Sequence, residues 1–189
     1  MKYLFYLLFI IIIFSCDSSN ESIVNSNRTE AIEDEIDLSS TFEGVSFFDF
    51  DEIHYYSIDI DAKQVYDLSE KDSLSENNKL FVNIILHELG EDTSFVDKLE
   101  ELNFTPKVIE NSKLELINDL FRYKSVDEFS TTTCDPFYRD ILIFKKNLGI
   151  SGIAKICFEC DKHSILGAKV PDASFGQSGE FQELAKLIK

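Results

Sequence analysis

The sequence predicts an α+β domain: an antiparallel sheet that includes a C-terminal β-hairpin or meander, packed with several short helices as a single domain. Three observations carry this. Tyr56, Ile58 and Ile60 alternate with Ser57, Asp59 and Asp61, the two-residue period of a strand with one wet face. Segments between 73 and 121 carry N-cap signals followed by apolar residues at helical spacing. The last third holds a continuous apolar run, a turn, a returning run and an amphipathic close.

Each element follows from its residues. Phe47, Phe48 and Phe50 precede the alternating strand and are its expected partner strand. Asp49, Asp51, Asp59 and Asp61 bring acids together there. A calcium loop needs oxygen ligands at set positions and a turn glycine, and neither is present, so they read as solvent-facing acids. Ser73-Leu74-Ser75-Glu76 matches a capping box, with Phe81, Ile85 and Leu89 stacking before Gly90 as a stop. Thr93 or Ser94 caps a short helix carrying Phe95, Leu99 and Leu102, broken by Pro106. Ser112-Lys113-Leu114-Glu115 is a second box, leading into Leu116, Ile117, Leu120 and Phe121. His87-Glu88 lacks the second histidine of a zinc-protease helix, so His87, like His54, reads as a boundary residue.

From Tyr138 the character changes. Ile141-Leu142-Ile143-Phe144 fits a strand buried on both faces. Lys145 to Gly149 is a turn, Ile150 to Phe158 the returning strand, and Ser164 to Val170 a third. Glu180 to Ile188, after Gly176-Gln177-Ser178-Gly179, is a closing helix with acids first and lysines last, as the helix dipole prefers.

Residues 42–189 make up this domain, and the preceding residues differ in kind. Met1-Lys2 is followed by an uncharged run from Tyr3 to Phe14, the size of a signal-peptide core. Crossing a membrane takes ~20 apolar residues, and the polar stretch from Cys16 to Asn20 stops the run short. Ile13-Phe14-Ser15-Cys16 resembles the lipobox of bacterial lipoproteins. The resemblance implies cleavage before Cys16, a diacylglyceryl thioether on its thiol and acylation of the new amino terminus. Residues 1–15 are then the signal peptide. Residues 16–41 are the lipidated cysteine and an acidic spacer, whose part from 17 to 41 has seven acids, one base (Arg28) and no aromatic, the composition of a disordered segment. The expected location is the cell envelope, with the domain lipid-anchored outside the cytoplasm.

The whole chain carries a net charge of -17. Loss of residues 1–15 removes Lys2 and no acid, leaving 17 basic against 35 acidic residues, net -18. Such a chain repels phosphates, so nucleic acid is excluded as a partner, and anionic lipid surfaces are disfavoured. The expected partners are the membrane, through the N-terminal lipid, and an envelope protein.

Cys134, Cys157, Cys160 and His163 are the candidate chemistry. With the hairpin turning at 147–149, paired positions sum to about 296. Cys157 then faces Arg139, Cys160 faces Pro136 and Cys134 faces Lys162, so all four candidates gather at the open end of the hairpin. Three readings compete. The first is a disulfide, which an oxidising compartment favours. Cys157 and Cys160 in one extended strand lie ~10 Å apart, beyond the ~7 Å limit, unless the chain turns at Glu159. Cys134 with Cys160 or with Cys157 is geometrically easier. The second is a zinc site built from these cysteines and His163, although only one half has metal-like spacing and no other cofactor is expected. The third is a redox-active CxxC with Arg139 as the thiol-activating cation. Buried cysteines acting as small hydrophobes are the plain alternative.

The runs Cys134 to Phe144, Gly152 to Cys160 and Phe175 to Gly179 resemble small uncharacterised bacterial lipoproteins with a YRD…ICFxC pattern. The resemblance brings no activity, cofactor or fold, only the implication that the cysteines act as a set. With no nucleophile elbow, phosphate-binding glycine loop or HExxH, the expected function is a non-catalytic binding or accessory module. The alternative is an exported thiol-redox or metal-dependent enzyme using the cysteine cluster. Cys157 discriminates: exposed in a concave pocket it favours the enzyme, buried or bridged it favours the module.

Overall fold

A computed structural model of the chain describes residues 39–189. The signal peptide, Cys16 and nearly all of the expected spacer lie outside the described residues. The elements run in the order α1 (Ser39–Phe42), β1 (Glu52–Ser57), α2 (Ala62–Ser69), α3 (Glu76–Leu86), a 3₁₀ helix (Ser94–Lys98), β2 (Thr105–Val108), α4 (Asn111–Leu120), β3 (Asp140–Lys146), β4 (Gly149–Cys157), β5 (Lys162–Leu166) and α5 (Glu180–Ile188). The five strands form one sheet in the order β2-β1-β3-β4-β5, antiparallel at every pairing. The α+β class is therefore what the molecule has. Among the described residues no helix is long and apolar enough to cross a membrane.

Successive side chains of a strand point to opposite faces, and here both faces are covered. Ile141, Ile143, Ile153 and Cys157 join one core with Val65 of α2, Phe81 and Ile85 of α3, and Phe95 and Leu99. Leu142, Phe144, Ala154 and Ile156 join the other with Phe47, Phe48, Ile117 and Phe121, and with Phe181, Leu184 and Ile188 of α5. Much of the second core is aromatic. Phe48 stacks on Phe144 at 4.3 Å and Phe121 on Phe175 at 4.6 Å between ring centroids. Each such ring contributes roughly 1.5–3 kcal/mol on burial. Gly152 of β4 exists for this packing, since a Cβ there would lie 2.2 Å from the Phe48 ring.

The hairpin has the expected register. Asp140 pairs with Ile156 and Phe144 with Gly152, after which a bulge shifts the ladder by one. The third strand lies at Lys162–Leu166, slightly earlier than expected, and α5 occupies the expected residues.

Four local expectations are corrected. β1 ends at Ser57; Ile58 and Ile60 still pack on the first core, but Asp61 caps α2 in a box closed by Gln64, and helix initiation overrides the alternation. Phe47, Phe48 and Phe50 form no strand. Phe47 N–H donates to Phe121 O and its carbonyl accepts from Lys169 N–H, while β1 pairs with β2 and β3. Pro106, expected to break a helix, sits inside β2; that edge strand has an unpaired side where the missing N–H costs nothing. Neither helix cap is the serine expected: Ser75 caps α3 through Asn78 N–H at 3.2 Å, and Glu110 precedes α4 without a side-chain cap bond.

Candidate functional site

The hairpin register carries the three cysteines and His163 to one end of the sheet, as expected, but sorts them into different environments. Cys157 is the last residue of β4 and shares its face with Ile153 in the first core. It is a free thiol with 1% exposure, and Phe137 N–H donates to its Sγ at 3.3 Å. The chain then turns over residues 158–161, with Asp161 at φ 48°, and brings Cys160 back towards the loop that leads into β3. Cys160 is bonded to Cys134 with a Cα–Cα distance of 5.7 Å, within the range that a disulfide tolerates.

This pairing is consistent with the first of the three readings. The disulfide uses two of the proposed zinc ligands, and His163 faces away from Cys157. Among the described residues no group of three or more His, Cys, Asp or Glu side chains is arranged to hold a metal ion. The zinc expectation is thus corrected: the ligand types are present, but not around one point. The thiol-activating role of Arg139 is corrected as well. Its guanidinium pairs with Glu159, donates to Ile60 O at 3.4 Å and lies over the Phe137 ring. The charged group in contact with Cys157 is the Glu159 carboxylate, at 4.0 Å, and the guanidinium is taken up by that same carboxylate.

The disulfide holds one wall of a cleft of about 350 Å³ lined by Ser130 to Thr132, Asp161 to His163 and Phe175 to Gln177. The wall is fixed at three points. Ser130 N–H and Oγ donate to Gln177 Oε1 at 2.9 and 3.0 Å. Thr132 Oγ1 donates to Cys160 O at 2.9 Å, and two residues on Cys134 is covalently tied. His163, on β5 opposite Ile156, stands edge-on to Phe175 at 5.1 Å. Its Nε2 lies 3.7 Å from Asp172 Oδ2. That contact holds the Asp172 carboxyl below its ordinary range, against the opposing effect of burial. The result is a polar, pre-ordered cleft with one imidazole and hydroxyl donors on its wall. Such a cleft can bind a polar ligand; its fixed wall lowers the ordering cost of doing so.

Two features were missed from sequence. Lys155, in the middle of β4, is 1% exposed, and its burial pushes the amine down to about 7. The available signal was one lysine inside the apolar run Ile153 to Phe158. Asp140, at the start of β3, is buried beside a second cleft of about 460 Å³. It accepts from Tyr55 Oη and faces Lys189 Nζ at 3.4 Å. Burial raises the Tyr55 phenol, with the Asp140 hydrogen bond and charge adding to it.

No protein-family model, curated protein or solved structure matches the chain.

Proposed function

We propose that the chain is an envelope lipoprotein, anchored through Cys16, whose folded domain is a non-catalytic binding or accessory module with the disulfide-walled cleft as its contact site. The observation that carries this reading is the state of the cysteines. A thiol or metal enzyme needs an accessible Cys157 in a pocket, and Cys157 is 1% exposed in the core while Cys134 and Cys160 are bridged. The apolar leader, its ending at Ser15-Cys16 and the acidic stretch after it support the anchor.

Thiol titration of the protein extracted from its own envelope tests both halves together. In native buffer no thiol reacts rapidly. Denaturation without reductant exposes one, Cys157, because Cys16 is a thioether and the other two are bridged. Full reduction then yields three. A second thiol on denaturation alone means that Cys16 is unmodified, and loss of radiolabelled palmitate in Cys16→Ala is the matching positive result. A rapidly reacting Cys157 in the native protein overturns the non-catalytic reading. Pull-down of the lipidated protein, compared with a variant carrying His163→Ala and Gln177→Ala, tests the cleft; an unchanged partner set removes it as the contact site.

A further inference from the structure

Lys155 lies on the face of β4 that carries Ile153 and Cys157, under the C-terminal end of α3. Its Nζ donates to the carbonyl of His87, the C-cap residue of that helix, and lies 4.6 Å from the centre of the Tyr138 ring. The side chain also lines a cavity of about 150 Å³ shared with Asn83, Ile84, Leu89 and Phe95. Among the described residues, Glu88 and Asp92 are the other charged groups lining that cavity. The sheet side presents Tyr138 and Cys157, and Ser164, whose Oγ accepts from Leu89 N–H at 2.8 Å.

A helix cap needs a donor, which a serine or asparagine supplies without placing an amine in the core. We infer that Lys155 is a covalent capture site for a small aldehyde or ketone, which it binds as an imine. A lysine desolvated in an apolar pocket is an activated amine nucleophile. Burial lowers the Lys155 amine to about 7, with Glu88 opposing the shift in part, so near neutral pH about half of it offers a free lone pair. The uncharged amine still has an N–H for His87 O. In the reaction the nitrogen lone pair forms the C–N bond and the carbonyl π pair moves to oxygen. The carbinolamine hydroxyl then leaves as water as the nitrogen gives up its proton. One water is released per imine and nothing is oxidised. Glu88 and Asp92 line the same cavity, and solvent entering it exchanges those protons. The cavity is smaller than the ~300–1,000 Å³ of drug-sized sites, so the ligand is a compound of few heavy atoms. This inference is independent of the proposed function, since it concerns another cavity.

The test uses the intact folded protein with propionaldehyde and cyanoborohydride, which supplies the hydride that traps each imine as a secondary amine. Peptide mass spectrometry reads the rate at each lysine. Lys155 is expected to react at pH 7 at least about tenfold faster than the exposed lysines. Its rate levels off above about pH 7, while theirs keep rising. Glu88→Gln moves that midpoint to lower pH, which identifies the reacting amine as the one beside Glu88. Urea abolishes the selectivity. Because the rates are read on the native chain, the result does not depend on a Lys155 variant folding. A Lys155 that reacts no faster than the exposed lysines in the folded protein overturns the inference and leaves it as a helix cap.

Discussion

Lys155 shows how much one residue's position can cost. Its amine is pushed down from 10.5 to about 7 by burial. Between those values the unfolded chain binds a proton that the folded chain does not, so stability rises with pH across that window. Below about pH 7 both states are protonated and this contribution is flat. Lys155→Met removes the group, and with it a slope on the order of 1 kcal/mol per pH unit. Denaturant midpoints measured from pH 7 to 9.5 check this; the upper limit keeps clear of the tyrosines, whose phenols are raised by burial. A variant with the slope of the native protein shows that Lys155 is solvated. That a lysine stands in this strand is plain from the sequence. That it points inward is not, because both faces of β4 are covered and no alternation separates them.

At the scale of elements, the hairpin was the most legible part, the place of its turn included, but not the backbone conformation inside that turn. The apolar run and the positions of the flanking residues locate the register, which pairs Asp140 with Ile156. The turn itself uses Asn147 and Leu148, at φ 50° and 69°. Two left-handed residues in a two-residue loop match the twist of the strands, and Asn-Gly is the pair that adopts them without strain. Leu148 has a Cβ that opposes this conformation, and its side chain is 93% exposed. Leu148→Gly is therefore expected to stabilise the domain by about 1 kcal/mol, raising the urea midpoint with an unchanged denaturant slope. An unchanged or lower midpoint contradicts the strain. The misplaced caps have a common cause. Serine, aspartate and glutamate offer several overlapping capping frames near 61, 75 and 112, and tertiary packing chooses among frames that local chemistry makes nearly equal.

For the whole molecule, the disulfide closes a loop with a sequence separation of 26 and joins the chain before β3 to the β4–β5 turn. Chain entropy assigns such a link about 3.5 kcal/mol. Reduction, or Cys134→Ala with Cys160→Ala, is expected to lower the melting temperature by roughly 7–14 °C. It is also expected to release Ser130 to Thr132 from the cleft wall, read as faster amide exchange there while the sheet stays protected. Exchange accelerating throughout the sheet instead makes the bridge global rather than local.

Within the chain, the sequence by itself determined the α+β class, the hairpin register and the gathering of the cysteines and His163 at one end. These depend on periodicity and on counting along a ladder, both local properties. Only the tertiary structure decided that β1 lies between β2 and β3, which thiol pairs with which, that Arg139 turns to Glu159, and that Lys155 lies under the end of α3. Those outcomes depend on what packs across the faces of the sheet. The energy differences that select them arise between residues far apart in the chain, where no local pattern records them.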